Sequence, residues 1–309
     1  MAYPEAHIGL LVQPALAPLA SLFTPVDSVL EASPELVETL REFAPDAAVC
    51  ISRGSAAPRA LRRAGVRHVA GTGRRWFSFL FDRSVRVSRR ATLRHELEHA
   101  LDLGACAGAA PGPLRFPIEI PQATRDKVDR WLLGQGLAGD PVVVHPGSAG
   151  SCPGWAATRW RRLADRLREA GQAVVVTEGP TDRSALEPFA DSELPRFAFS
   201  LPELAALLSR SRLTVSNSTG PIHLAAALGR ATLAIHAPWN SCGAARWGPY
   251  AGNGWALVVE HEGAKRWSRR RRRRSARSLM DALPVETVLQ AVLSMCGGER
   301  VQKSPEIGR

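Results

Sequence analysis

Short apolar runs alternate with amphipathic stretches along this 309-residue chain. That alternation restricts the fold more than any other property of the sequence. Runs at residues 8–12, 47–51, 141–145, 173–177, 213–216 and 231–236 have the length and the Val, Ile and Leu content of strands. Between them, residues 34–42, 91–103, 123–133, 158–170, 184–190, 201–209 and 220–228 read as helices. Strand–helix alternation of this kind predicts an α/β fold with parallel sheets covered by helices. Val142, Val143 and Val144 stand in succession, as a strand buried on both faces requires.

At about 150 residues per domain the length predicts two domains, each large enough for its own core. Residues 134–140, Gly-Gln-Gly-Leu-Ala-Gly-Asp, follow a helix and precede a strand, and their glycines suit a linker. The expected division is therefore 1–137 and 138–296, with a polar, mobile tail at 297–309. Cys50, Cys106, Cys152, Cys242 and Cys296 are widely spaced and odd in number, and no C-x-x-C pair occurs. This excludes a zinc ribbon or dithiol motif and fits a reducing compartment. The first residues lack the basic-then-apolar order of a signal peptide, and no run of 18 apolar residues occurs. The expectation is a cytoplasmic protein.

The net charge is +11. Residues 265–277 hold nine basic side chains and no acid, which leaves +2 for the other 296 residues. The expectation is a near-neutral chain with one cationic patch: Arg269, Arg270, Arg271, Arg272, Arg273 and Arg274, flanked by Lys265, Arg266 and Arg277. Such a run reads as solvated and disordered. It would meet a polyanion through charge alone or lie on an anionic membrane face. No helix-turn-helix, zinc finger or RNA-binding signature accompanies it, so no specific nucleic acid is expected.

His95-Glu96-Leu97-Glu98-His99 has the H-E-x-x-H spacing of a zinc protease, with Glu96 as general base. Leu93, Leu97, Ala100 and Leu101 define an apolar stripe on the same helix. At 100° per residue both histidines point away from it, and Glu119, the downstream candidate for a third ligand, carries no mark of one. The expectation is a solvated helix face and no metal.

Three loops carry more chemistry, because each follows an expected strand and ligands of open α/β sheets sit beyond the strands' carboxyl ends. His145-Pro146-Gly147-Ser148 combines small residues, whose amides approach a diphosphate, with a hydroxyl donor. Ser216-Asn217-Ser218-Thr219-Gly220-Pro221-Ile222-His223 opens a helix that Ser218 or Thr219 can cap. Its N-terminus is a ready anion site, with His223 in the first turn. Thr177-Glu178-Gly179-Pro180-Thr181-Asp182 ends in a carboxylate that suits a ribose diol, or equally a helix N-cap.

Together these loops resemble glycosyltransferase family 9, the heptosyltransferases of the lipopolysaccharide inner core. Residues 142–148 resemble the family's strand and His-Pro-Gly-Ser turn, 158–167 the following helix, and 179–182 the Gly-x-Pro-x-acid loop. Residues 217–228 resemble the signature Asp/Ser-Thr/Ser-Gly-x-x-His-x-Ala-Ala-Ala-Leu. Residues 246–250 and 279–282 resemble later segments. The match runs from about residue 8 to 293 and is specific after Val142. The resemblance implies a GT-B fold, two Rossmann-like domains facing across a cleft. The second domain would hold a nucleotide sugar, typically ADP-heptose, and the first a lipid-linked saccharide acceptor. Transfer would be inverting, metal-independent and free of cofactors.

The same resemblance assigns His145, Gly147, Ser148, Asp182, Ser218, Thr219, Gly220 and His223 to substrate. Ser148, Thr219 and the Gly220 amide would meet the phosphates, Asp182 the ribose, and His223 the diphosphate and sugar. Three departures stand out. The chain opens at what resembles the family's second strand, without the first strand or the Gly-Asp loop that carries the catalytic Asp, so no catalytic residue is assigned. The family's Lys-x-Trp-Pro is here Pro153-Gly154-Trp155-Ala156, leaving Arg159 as a substitute phosphate contact. The Asp before Thr-Gly is here Ser218. A glycosyltransferase on the inner face of the inner membrane is the first reading. A non-catalytic GT-B protein that binds a nucleotide or a partner is the alternative.

Overall fold

The computed structural model describes residues 5–51, 54–86, 94–109, 112–148, 150, 152–180, 182–198, 200–239, 241–250, 254–259 and 268–297. The chain divides into two compact units, Met1–Glu119 and Ile120–Arg309.

In the first unit, β1 (Gly9–Val12), α1 (Ala17–Ala20), β2 (Ser28–Glu31), α2 (Leu36–Phe43), β3 (Ala47–Val49), α3 (Ala56–Arg63), β4 (His68–Thr72), β5 (Arg83–Val85) and α4 (Glu96–Cys106) follow one another. All the strand pairs are parallel, but they form two separate sheets, β1-β2 and β3-β4-β5. Leu36 and Leu40 of α2 join Ala60 and Leu61 of α3, with Val66 and Val69, in the buried core. Leu11, Leu30 and Ala48, one from each of the first three strands, pack against it while staying partly exposed.

The second unit runs α5 (Gln122–Gly134), β6 (Val142–His145), α6 (Ala157–Glu169), β7 (Val174–Thr177), α7 (Arg183–Leu186), β8 (Arg196–Phe197), α8 (Leu201–Ser209), β9 (Leu213–Asn217), α9 (Gly220–Ala227), β10 (Thr232–His236), α10 (Ala244–Trp247), β11 (Gly254–Val258), α11 (Arg269–Met280) and α12 (Val285–Cys296). Its six strands make one parallel sheet in the order β11-β10-β9-β6-β7-β8. Every residue of β6, β7, β9 and β10 is buried, as strands of a parallel sheet covered on both faces are.

The division falls before α5 and not at residues 137/138. Within the second unit Trp131 of α5 stacks edge-on against Phe197 at 4.9 Å, Lys127 pairs with Glu203 of α8, and Asp129 accepts from Arg210 at 2.6 Å. The glycine-rich segment thus joins α5 to β6 within one unit and does not separate domains.

Three further expectations change. The arginine run is helical: Ser268 caps α11 by accepting from the Arg271 amide at 3.3 Å, and Leu279 and Met280 at the other end are buried in the core. Lys265 and Arg266 lie outside the described residues. His95 precedes α4 as its N-cap, Nδ1 accepting from the Leu97 amide at 3.1 Å. His99 is buried at 2% exposure, a turn from buried Leu103, whereas Leu101 is 45% exposed. The buried stripe therefore runs through His99 and Leu103, the two histidines do not share a solvated face, and Leu93 is outside the described residues. Among the described residues no cluster of His, Cys, Asp and Glu is placed to hold a metal ion, and no single helix is long and apolar enough to cross a membrane. Finally, Cys152 and Cys242 are joined as a disulfide, contrary to the expectation of unpaired thiols. Cys50 and Cys296 stay free and buried, and burial pushes the Cys50 thiol up to about 11.

Candidate functional site

The loops after β6, β7, β9 and β10 all leave the carboxyl edge of one parallel sheet, so topology alone brings the sequence-predicted residues together. Side chains then tie the loops to one another. His145 ends β6, and its Nδ1 lies 2.9 Å from Thr177 Oγ1 at the end of β7. Ser216 Oγ donates to the His145 carbonyl at 2.8 Å. Asn217 accepts from the Trp155 amide at 3.0 Å and donates to the Pro146 carbonyl at 3.4 Å. A polar pair closing a fully buried strand is the signal that marks Ser216 and Asn217 as organising residues. Their partners 62 and 71 positions away are visible only in the fold.

Asp182 is buried, 6% exposed. Its Oδ2 accepts from the Gly179 amide at 2.9 Å and lies 3.8 Å from His145 Nε2. The carboxylate packs so closely on the β6 loop that a Cβ on Gly147 would sit 2.2–2.3 Å from it, which is why that position holds glycine. Asp182 thus clasps two loops; it also stands at the N-cap position of α7, without a side-chain capping bond. His145 and Gly147, buried in the same cluster, support the loops. Burial holds His145 below its ordinary value of 6.5, opposed by the Asp182 charge, so its ring is neutral.

Arg159 also departs from expectation. Its guanidinium donates to the Leu283 carbonyl at 3.2 Å and lies 3.6 Å from Asp281, which engages it between α11 and α12 and not as a cation at a loop end. Asp281 also accepts from the Ala156 amide at 3.3 Å, and Trp155 Nε1 donates to the Leu283 carbonyl at 3.1 Å. The Pro153–Ala156 segment is therefore held by Asn217 on one side and the α11–α12 corner on the other.

The residues at the rim are those of the β9–α9 turn and Ser148. Ser148, Ser218, Thr219 and His223 are half-buried and Gly220 is exposed. Thr219 occupies the N-cap position of α9, yet makes no capping bond; its hydroxyl lies 3.0 Å from Ser216 Oγ and donates to the Asn217 carbonyl at 3.3 Å. The first-turn amides of α9 are left without a side-chain cap. The positive end of the helix dipole and these N–H groups suit an anion. Behind the turn, the Cys152–Cys242 disulfide joins the loop after β6 to the loop after β10, across the intervening β9. His236 at the end of β10 lies with Nδ1 3.0 Å from the Cys242 carbonyl. Ala149, Ser151 and Thr181 lie outside the described residues.

Two α/β units with parallel sheets, and a phosphate-suited turn at the carboxyl edge of the second, are the architecture of the GT-B type. A family model described as glycosyltransferase family 9 (heptosyltransferase) matches residues 65–275, and the chain belongs to that family. The match begins inside the first unit, well before the loops that carry the resemblance. Similar solved structures include a family 9 glycosyl transferase from Veillonella parvula DSM 2008, with a TM-score of 0.77 and 19% identity over 96% of this chain and 90% of that one. The ADP-heptose LPS heptosyltransferase II of E. coli has a TM-score of 0.76 and 20% identity over 96% and 91%. The E. coli heptosyltransferase WaaC with ADP has a TM-score of 0.68 and 18% identity over 95% and 92%. No curated protein sequence matches the chain.

Proposed function

We propose that this glycosyltransferase moves a heptose from ADP-heptose to a lipopolysaccharide core or related envelope saccharide. One observation carries the reading: the β9–α9 turn at the carboxyl edge of a buried parallel sheet, where Thr219 turns inward and the α9 amides stay uncapped by a side chain. In this reading the diphosphate lies at Ser148, Ser218, Thr219 and the Gly220 amide, with His223 beside the sugar. Fixed N–H donors stabilise the charge that develops on the departing diphosphate and need no reorganisation when it forms. Transfer is inverting and uses neither metal nor cofactor. The arginines of α11 meet an anionic surface, the inner face of the inner membrane or the phosphates of the acceptor.

A second reading, a nucleotide-binding protein without transfer, is favoured by the first unit, whose strands form two separate sheets. Titration calorimetry with ADP-heptose and other nucleotide sugars, followed by heptose incorporation into a core-lipid acceptor, separates the two. Binding with turnover supports transfer, binding without turnover selects the second reading, and no binding to any nucleotide sugar overturns both.

A further inference from the structure

The Cys152–Cys242 disulfide stands among the loops at the carboxyl edge of the second unit, and the transferase reading makes no use of it. The sheet order β10-β9-β6 puts the loops after β10 and β6 on either side of the strand that leads into the β9–α9 turn, and the bond joins those two loops. Its Cα atoms are 5.8 Å apart, an ordinary span for a disulfide, so the two loops meet there without displacement.

The two cysteines sit in unlike settings. Cys242 is a fixed post. It is buried, its amide donates to the Trp239 carbonyl at 2.9 Å, and its own carbonyl lies 3.0 Å from His236 Nδ1. Trp247 Nε1 donates to the neighbouring Ser241 carbonyl at 3.1 Å, and a Cβ on Gly243 would stand 3.0 Å from the Trp239 carbonyl oxygen, so the turn is tight. Cys152 is half-buried and lies between two anchors. On one side Gly147 packs against Asp182. On the other, Gly154 packs against Asn217, where a Cβ would lie 2.9 Å from Nδ2, and the same side chain holds the Trp155 amide at 3.0 Å. Between these anchors the hydrogen bonds of the described residues are local: the Gly150 amide donates to Ser148 Oγ at 3.4 Å, and Ser148 Oγ lies 3.5 Å from the Cys152 carbonyl. The disulfide is therefore what fastens this stretch, Ser148 included, to a neighbouring loop.

We propose that Cys152 and Cys242 form a reversible thiol–disulfide site whose oxidation state sets the affinity of the β9–α9 edge for a nucleotide diphosphate. The identity of that ligand rests on the transferase reading; the exchange chemistry does not. The transferase reading also implies a reducing compartment, where disulfides that do form are as a rule transient and redox-sensing. A thiolate of a low-molecular-weight thiol attacks Cys152 Sγ, the half-buried end. A mixed disulfide forms, the bond to Cys242 breaks, and the Cys242 sulfur leaves as a thiolate and takes a proton from water. A second small thiolate then attacks the small-molecule sulfur of the mixed disulfide, releasing the small disulfide and Cys152 as a thiolate. Two electrons pass from the two small thiols to the protein, and the small disulfide is the oxidant of the reverse reaction. In the oxidised chain the stretch that carries Ser148 is held before the ligand arrives. In the reduced chain the same stretch has to be ordered on binding, which weakens affinity.

The test uses the full chain equilibrated in glutathione buffers of graded thiol-to-disulfide ratio. Alkylation with iodoacetamide and peptide mass spectrometry read the state of each cysteine, and titration calorimetry reads the affinity for ADP. Cys152 and Cys242 are expected to gain and lose alkylation together and reversibly across the series. ADP should bind about tenfold more weakly to the reduced chain, as expected when a few residues are ordered by the ligand. Amide exchange without ligand should quicken at residues 148–152 on reduction. The comparison needs no substitution, and melts of both forms check that the reduced chain is folded at the assay temperature. Cys152→Ser, at the half-buried end, should have the reduced chain's affinity in every buffer. A bond that never forms, or one that glutathione never opens, overturns the proposal. So does ADP bound equally by the two forms, an outcome that leaves the transferase reading standing. ADP bound by neither form overturns both.

Discussion

The sheet of the second unit and the two sheets of the first are built from the same parallel pairing, yet they are covered very differently. Val142, Val143 and Val144 in β6 are at most 1% exposed, and the strands around them are buried along their length. In β1, β2, β3 and β5 no residue is buried; β4 alone has a buried run. Parallel pairing is stable when both faces are covered, and a fully buried Val or Leu contributes about 1.5–3 kcal/mol that a half-exposed one does not. The difference shows where rigidity is concentrated. The second unit holds its loops on a fixed edge, as a site that must present donors without reorganising requires. The first unit presents side chains on small, partly covered sheets.

The sharpest way to break this comparison is core truncation. Trp160 is fully buried and meets Trp155 edge-on at 5.1 Å, so Trp160→Ala should cost about 3–5 kcal/mol in denaturant unfolding. Val12→Ala in half-buried β1 should cost about 1 kcal/mol or less; equal losses would abolish the distinction. Next comes the Cys152–Cys242 link, which spans 90 residues. Cys242→Ser should lower the stability of the oxidised second unit by about 2–4 kcal/mol, and an intact-mass shift of two hydrogens on reduction checks that the bond is present.

A smaller effect is expected from the loop clasp. Gly147→Ala forces a methyl against Asp182 and should cost about 1–3 kcal/mol. Asp182→Ala should make the same change less harmful, and simple additivity in that double-mutant cycle would remove Asp182 from its assigned place. The smallest effect concerns pH. Burial keeps His145 neutral with its value below the ordinary 6.5. The unfolded chain therefore binds a proton that the folded one does not, and stability is full above 6.5 and falls as pH drops below it. His145→Gln should flatten that fall in melts recorded from pH 7 downward.

How much of this was legible in the sequence depends on what each residue reports. The strands β6, β7 and β10 are short runs built mainly of Val, Leu, Ile and Ala, β9 alternates Leu213 and Val215 with polar residues, and the structure places strands there, within a residue or two. Helix α8 begins and ends at the expected residues, with Ser200 and Glu203 as a capping box. The strands β2, β4, β5, β8 and β11 went unpredicted, because they are short, half-exposed, or contain glycine (Gly71 in β4, Gly254 in β11), so apolar periodicity is weak. Helix α11 was hidden by its own charge: six arginines read as solvated, and the buried Leu279 and Met280 that anchor it come at its far end. Loop composition marked the candidate loops, and topology sets them at the strands' carboxyl ends. It did not reveal which polar groups face a ligand and which face each other. Asp182 and Arg159 are expected at a ligand, and the contacts they make with Gly179 and His145 and with Asp281 and Leu283 are set mostly by residues dozens of positions away.

The account rests on the carboxyl edge of the second unit holding a nucleotide diphosphate-sugar, and amide hydrogen exchange with and without ADP-heptose tests this most directly. Protection is predicted at residues 145–150, 177–183 and 217–224, with β1 and β2 unchanged. Exchange that is unaltered in those three segments at saturating nucleotide sugar, or protection confined to the first unit, would contradict it.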